Sequence, residues 1–255
     1  MGKDLNKNTD KGPGLHKEIF DPEKSNYQKY CDMYIGKKGL IPFLFYEFSI
    51  TFLGPLPGAL GLFLRKKYYP ILFKSAGKNV IFGKNITLRH PHKISLGNNV
   101  IIDDNVLLDA KGGEASGINI GDNATIGRNS ALICKDGRIN IGSSVNITTY
   151  VNIGTGKNGN VTIGNNVEIG SFSHFSGWTY DITDSEALPS ATGSHSRGVI
   201  VGDLVWIGAG VTILDGVKIG EKSIVGAGSV VIKEILANSI NFGVPAREVR
   251  KRVDK

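Results

Sequence analysis

Cysteine is scarce. Cys31 and Cys134 are the two in 255 residues, which excludes a disulfide framework and fits a reducing compartment. Proline numbers 9 against 34 glycines, and the glycines follow no G-X-Y period, so a collagen helix is excluded. Long uninterrupted apolar runs are missing as well. The most apolar stretch, LIPFLFYEFSITFLGPLPGALGLFL at 40–64, is interrupted by Glu47 and broken by Gly54-Pro55-Leu56-Pro57-Gly58. A spanning helix needs about 20 consecutive apolar residues, so two short helices bent at the GPLPG are expected instead. The opening residues MGKDLNKNTDKGPG lack the apolar core of a secretory signal. Asn6 stands where a myristoylation signal needs Ser or Thr.

What is present is a globular composition, 40% apolar and 21% charged, rather than a disordered one. The net charge of +7 is unevenly placed: +5 over residues 1–75, −1 over 76–242 and +3 over 243–255. A neutral middle argues against a nucleic-acid groove along the main domain. Basic ends suit contact with phosphates, on a membrane surface or on a phosphorylated cofactor. Arg65, Lys66 and Lys67 directly follow the apolar stretch, so 40–67 is a candidate for an anionic lipid surface. The competing expectation is that these helices pack on the base of the main domain or on a neighbouring subunit.

The dominant feature is a six-residue period. Val201, Ile207, Ile213, Ile219, Val225 and Val231 form one apolar series. Val199, Val205, Val211 and Val217, two residues earlier, form its companion. The same register runs upstream as the triplets Leu96-Ile102-Leu108, Ile120-Ile126-Leu132, Ile141-Ile147-Ile153 and Ile163-Ile169-Phe175. Extra residues fall only after the third member of a triplet. Each hexad is therefore a short strand and a turn, with two apolar residues inward and the residue between them outward. Three hexads close one coil, and stacked coils bury an aliphatic column that no single coil could bury. A helix is excluded because its period is 3.6. Six full coils run from Leu96 to Val231, and a partial coil at Val80, Phe82, Ile86 and Leu88 precedes them. The fold class is all-β, a parallel β-helix. Its expected organisation is an N-terminal helical extension over 1–75, the β-helix over 76–232 with an extended loop at 176–198, and a basic C-terminal cap over 233–255.

Five histidines offer chemistry. His16 lies in the polar leader, and His90 and His92 lie in RHPHK at the first coil. His174 stands between the inward Ser173 and Phe175, so its ring points outward where the chain leaves the coil for the long loop. His195 stands where that loop returns, in ATGSHSRG. His90 and His92 lie about four coils from His174, too far for one metal cluster, and no metal is expected. Gly208-Ala209-Gly210 and Gly226-Ala227-Gly228 recur 18 residues apart, at one corner of successive coils. Small residues there open the backbone to an extended ligand. Trp206 is outward, and a large exposed aromatic wants a partner surface. Asn140, Asn146 and Asn152 are outward in the middle coils.

The hexads, above all VWIGAGVTILDGVKIGEKSIVGAGSVV at 205–231 followed by NFGVPAREVRKR at 241–252, resemble the hexapeptide-repeat acyltransferase family. The likeness covers roughly 78–250 and points to the O-acetyltransferase branch that includes maltose and galactoside acetyltransferases. It implies a left-handed β-helix, a homotrimer with active sites between subunits, acetyl-CoA as acyl donor, and a sugar hydroxyl as acceptor. It implies that a His just before the extended loop is the base, which is His174 here, with His195 the competitor. Such enzymes often follow this His closely with Pro and Asp. This chain reads HFSGWTYDITD, which leaves Asp181 or Asp184 to orient the imidazole. For the donor, a pantetheine arm with its two amides matches the ladder at Gly208, Ala209, Gly226 and Ala227. Trp206 is a further candidate that meets the site across a subunit boundary, and the resemblance implies Lys233, Arg247 and Arg250 meeting the phosphates. VVIKE and GVPAR here stand for the family's VVTKD and GNPAR. An envelope polysaccharide or lipid-linked sugar is the expected acceptor, in the cytoplasm or on the inner membrane face. N-acylation of an amino sugar and a non-catalytic trimeric scaffold are the alternatives.

Overall fold

The computed structural model describes residues 20–182, 184–186 and 193–252. The leader with Asn6 and His16, and part of the long loop, lie outside the described residues.

Three parallel sheets form the sides of a prism, here faces A, B and C. Face A carries seven strands from Ser75–Ala76 to Lys218–Ile219. Face B runs from Ile81–Phe82 to Ser239–Phe242 and ends in an antiparallel partner, Arg247–Lys251. Face C runs from Thr87–Arg89 to Val230–Val231. The chain visits A, B and C in turn, so each coil sits on the previous one in parallel register, as in Asn140 between Asn119 and Thr162. The inward aliphatics of the hexads are buried in a single column. The first coil is complete. Ser75–Ala76 pairs with Ser95 and Leu96 and closes it on face A. Its side chains are too small to show as an apolar hexad, so the sequence suggests only a partial coil there.

Turns explain the asparagines. At the corner from A to B, Asn79, Asn99, Asn123, Asn166 and Asn238 all have positive φ, a conformation Asn tolerates better than most side chains. Stacked amides link them, Asn79 Nδ2 donating to Asn99 Oδ1 at 3.2 Å and Asn99 Nδ2 to Asn123 Oδ1 at 3.0 Å. The insertions all leave at the corner from C to A. The largest begins as a hairpin of Thr179–Tyr180 against Ser194–His195. Its return is held by Asp215, which accepts from the amides of Arg197 at 2.9 Å and Gly198 at 2.8 Å.

A helical layer closes the N-terminal end. α1 (Asn26–Tyr30) starts at a Ser25–Gln28 capping box and continues into a π-turn, Cys31–Ile35. α2 (Leu40–Phe48) continues into a second π-turn, Ser49–Leu53. α3 (Gly58–Tyr68) follows the GPLPG break. In a parallel stack the end coil has backbone groups with no coil to meet. The helical layer meets them. Tyr46 Oη donates to the Leu88 carbonyl at 2.6 Å, and Arg65 Nε to the Phe82 carbonyl at 3.0 Å. The Asn85 amide donates to the Gly54 carbonyl at 3.0 Å. His90 and His92 serve the same joint, each ring meeting a carbonyl of the first π-turn, Asp32 at 2.8 Å and Ile35 at 3.1 Å. Burial, then the neighbouring His90 ring, pushes His92 down to about 4.

Arg65 departs from the sequence expectation. It does not face lipid with Lys66 and Lys67 but is buried beneath α3. Its Nη1 also donates to the carbonyls of Leu53 at 3.0 Å, Gly54 at 3.3 Å and Leu56 at 2.7 Å. It thus caps the second π-turn and bolts it to the first coil.

Candidate active site

The corner from B to C organises the site. One residue per coil there has positive φ: Asn85, Asn105, Asn129, Tyr150, Phe172, Gly210 and Gly228 in order. The first three are asparagines, as at the neighbouring corner. Tyr150 and Phe172 break the rule. A bulky residue in this conformation costs about 1–2 kcal/mol, yet both rings are exposed and gain little burial. They stack on each other with centroids 5.1 Å apart and planes 9° from parallel. Leu204 at the neighbouring corner is also bulky, exposed and at positive φ, so what sets Tyr150 and Phe172 apart is their stacking beside His174.

His174 stands two residues past Phe172, on face C. Its register partners are Asn152 on one side and Thr212 on the other, with Val230 beyond. Its ring is outward, as expected. Burial lowers its pKa from the ordinary imidazole value, which favours the neutral form of the ring. The three asparagines separate: Asn140 lies on face A, Asn146 on face B, and only Asn152 adjoins His174.

Trp178, which the repeats do not reveal, follows the His174–Gly177 strand at the root of the long loop. It folds back over the preceding coil, where a Cβ on Gly156 would stand 3.1 Å from its own Cβ. Its ring packs edge-on against Tyr180, centroids 4.8 Å apart. Asp181 directly follows Tyr180 on this hairpin, its amide donating to the Gly193 carbonyl at 3.1 Å. His195 is on the opposite strand, paired with Thr179, and exposed. Asp184 lies farther out and is also exposed.

The Gly-Ala-Gly corners need one refinement. The glycines at 208 and 226 are required by stacking. A Cβ on Gly208 would lie 2.6 Å from the Ala227 amide nitrogen, and one on Gly226 would overlap the Phe242 ring. The open positions are two residues later. A Cβ on Gly210 meets its nearest neighbour at 3.9 Å, and one on Gly228 meets nothing within 4 Å. Ala209 and Ala227 beside them are exposed. The aromatic rungs thus give way to bare rungs on crossing His174.

The bare rungs lead to the tail. The Ala246 amide donates to the Val230 carbonyl at 2.8 Å, and the Val230 amide to the Gly243 carbonyl at 3.1 Å. Lys233 and Arg247 line one cleft of about 310 Å³ with Asn241 and Ala246, together with the acids Glu234 and Glu248. Arg250 lies beyond, opposite Ile240 on the terminal hairpin. Trp206 is exposed on face B, between Glu168 and Ile224. It faces another side of the prism from His174. Among the described residues no His, Cys, Asp and Glu gather as a metal-binding group.

Two family models match this chain. One, the bacterial transferase hexapeptide of six repeats, covers 198–233. The other, the hexapeptide repeat of succinyl-transferase, covers 99–134. A dTDP-4-amino-4,6-dideoxy-D-glucose acyltransferase of Escherichia coli is 33% identical over 184 residues, 72% of this chain and 84% of that protein. The chain therefore belongs to the hexapeptide-repeat acyltransferases. The galactoside O-acetyltransferase of Escherichia coli (strain K12) is 44% identical over 61 residues, 24% of this chain. Only 30% of that relative's length is spanned, and 28% of its Lactococcus lactis counterpart. Among solved structures, a point mutant of AntD, an N-acyltransferase from Bacillus cereus, superposes with a TM-score of 0.51 at 27% identity. The match covers 74% of this chain and 90% of AntD, which was solved with dTDP-4-amino-4,6-dideoxyglucose and coenzyme A.

Proposed function

We propose that the chain transfers an acetyl group from acetyl-CoA to a hydroxyl of a sugar. The observation that carries this is the position of His174, an outward imidazole between aromatic rungs and bare rungs of one corner. The bare side suits an extended acyl-CoA arm, since no side chain covers the backbone at Gly210 and Gly228, although their amides are bonded to the Ser171 and Ala209 carbonyls. Its end leads to Lys233 and Arg247, cations for the phosphates. From His174 to Ala246 is three rungs, about 14 Å at the spacing of paired strands. The aromatic side suits a pyranose ring, whose C–H face rests on an aromatic plane. His174 takes the hydroxyl proton as the oxygen attacks the thioester carbonyl. The oxyanion then collapses, the C–S bond breaks, and the imidazolium returns its proton to the thiolate leaving as free coenzyme A.

O-acylation is favoured over N-acylation by the face around His174. Its neighbours Asn152 and Thr212 are uncharged, whereas an amine arriving as ammonium gains from an adjacent carboxylate. The N-acyl reading rests on the amino-sugar acyltransferases matched over most of their length. A competition assay decides, with acetyl-CoA, a galactoside and dTDP-4-amino-4,6-dideoxy-D-glucose, following thiol release and the acetylated product. Exclusive use of the amino sugar would overturn O-acylation. Thiol release with neither acceptor would leave only the donor half of the proposal.

The homotrimer belongs to the same proposal. Trp206 on face B reaches the His174 site only from a neighbouring subunit. Exposed Ile81, Ile101 and Trp206 on face B supply apolar surface for that contact. Light scattering at the mass of three chains is the expected result.

Two predictions separate the halves of the site. Gly228→Asn keeps the fold, because Asn already adopts this conformation at Asn85, Asn105 and Asn129, but fills the open rung. Acetyl-CoA affinity by calorimetry should fall at least about 10-fold, a loss of about 1.4 kcal/mol. Tyr150→Asn with Phe172→Asn removes the aromatic rungs in the same way. The thermal midpoint should change little, since relieved backbone strain offsets the lost stacking. The acceptor KM should rise while acetyl-CoA binding stays at the wild-type value.

A further inference from the structure

We propose that the helical layer is a membrane-docking platform for an anionic lipid bilayer, and that it sets the N-terminal end of the β-helix against the bilayer surface. The inference stands apart from the acyl-transfer reading, because it rests on the opposite end of the molecule.

α2 is apolar nearly all round. One side is turned to the protein, with Tyr46, Ser49 and Leu53 buried against the first coil and α3. The other side carries Leu40, Ile41, Leu44, Phe48 and Phe52, all exposed. Their four-residue spacing makes one stripe, and Phe48 and Phe52 lie side by side with centroids 5.8 Å apart. On α3, Leu60, Leu62 and Phe63 are exposed, and Ile71 just past it is 64% exposed. Ile41 and Ile71 line one apolar groove of about 450 Å³ with Pro42, Phe45 and Leu72, so the two arms share a surface. A helix apolar on every side belongs in an apolar environment, and a patch of this extent marks an interaction site. No helix among the described residues is long and apolar enough to cross a membrane. Two short arms with one side held by protein match an element that lies in the interface.

The charge pattern selects the occupant. From residue 36 to residue 102 the chain has ten Lys and Arg, of which Arg65 is buried and Arg89 pairs with Asp109, and a single acid, Glu47, which accepts a hydrogen bond from Tyr30 Oη. Lys37 and Lys38 precede the stripe, and Lys66, Lys67 and Lys74 follow it, all exposed. Apolar side chains rimmed by lysines complement an anionic lipid surface, to which each lysine adds about five-fold in affinity. A second copy seated on this face would bring the same lysines against one another.

The test is flotation of the full-length protein with vesicles of 30:70 phosphatidylglycerol:phosphatidylcholine, and with phosphatidylcholine alone. Binding to the anionic vesicles, weakened by salt, is expected. Ile41→Asp with Phe52→Asp should lower it at least about 10-fold. Lys66→Gln with Lys67→Gln should lower it about 30-fold. All four positions are exposed, so these variants keep the fold, checked by thermal melting. Failure of the wild type to float with anionic vesicles overturns the proposal, and so does unchanged binding by the Asp double variant. If the wild type stays unbound while that variant loses subunits in light scattering, the face is a contact between copies, which also overturns it.

Discussion

Replacing His174 with alanine should lower acetyl transfer by about 10²–10⁴-fold, the range that a positioned base contributes. Acetyl-CoA affinity should stay unchanged, because the bare rungs at Gly210 and Gly228 are untouched. His195→Ala is the control. His195 lies on the hairpin opposite Thr179, off the row that joins Asn152 to Thr212, and its loss should cost far less. The pH profile gives a second readout. Burial lowers the pKa of His174, and the base works only when unprotonated. Activity is therefore lost as pH falls through that lowered value. The acid limb of kcat/KM should lie below the ordinary imidazole value of about 6.5 and vanish in the alanine variant. An equal loss in His195→Ala, with the limb unmoved in His174→Ala, would transfer the role to His195.

The second large effect concerns stability. Arg65→Ala should destabilise the fold by more than about 3 kcal/mol, because it strands several buried carbonyls at once. Those of Leu53, Gly54, Leu56 and Phe82 all accept from its guanidinium. Arg65→Lys should recover only part of this. An ammonium is a point charge and cannot spread its donors over a π-turn and a strand as the planar guanidinium does. Chemical denaturation of the three proteins measures it. Alanine and lysine variants as stable as the wild type would mean that water replaces the guanidinium. Lys66→Ala, one residue on and exposed, should change stability by less than about 0.5 kcal/mol.

Arg65 also shows where sequence reading stops. Three consecutive cations after an apolar stretch look alike on paper. Helix phase turns the first inward, four residues past buried Gly61, and leaves the next two in solvent. The β-helix was legible because six is a period that no helix shares. The first coil was legible only in part, because Ser75 and Ala76 bring no aliphatic pair. His174 could be placed outward from its hexad slot alone. Trp178 and the Thr179–His195 pairing could not, since both belong to an insertion with no repeat. Tyr150 and Phe172 are different, for their signal was present. Aligning the hexads sets them in the slot that holds Asn85, Asn105 and Asn129 below and Gly210 and Gly228 above. Only the backbone shows that this slot demands positive φ, which turns an unusual pair into a costly one.

The end cap carries a consequence for reach. The helical layer closes the first coil at Leu88, next to Thr87, and the row from Thr87 passes Leu107, Ala131 and Asn152 before His174. Four rungs separate the two, about 19 Å at the spacing of paired strands. On the docking and acyl-transfer proposals taken together, a β-helix held upright on the lipid would act as a ruler, with the His174 imidazole a fixed mark on its scale. A sugar joined directly to a lipid headgroup would fall short of that mark. A chain of several sugars would reach it, and its length, rather than a pocket, would choose which residue is acetylated.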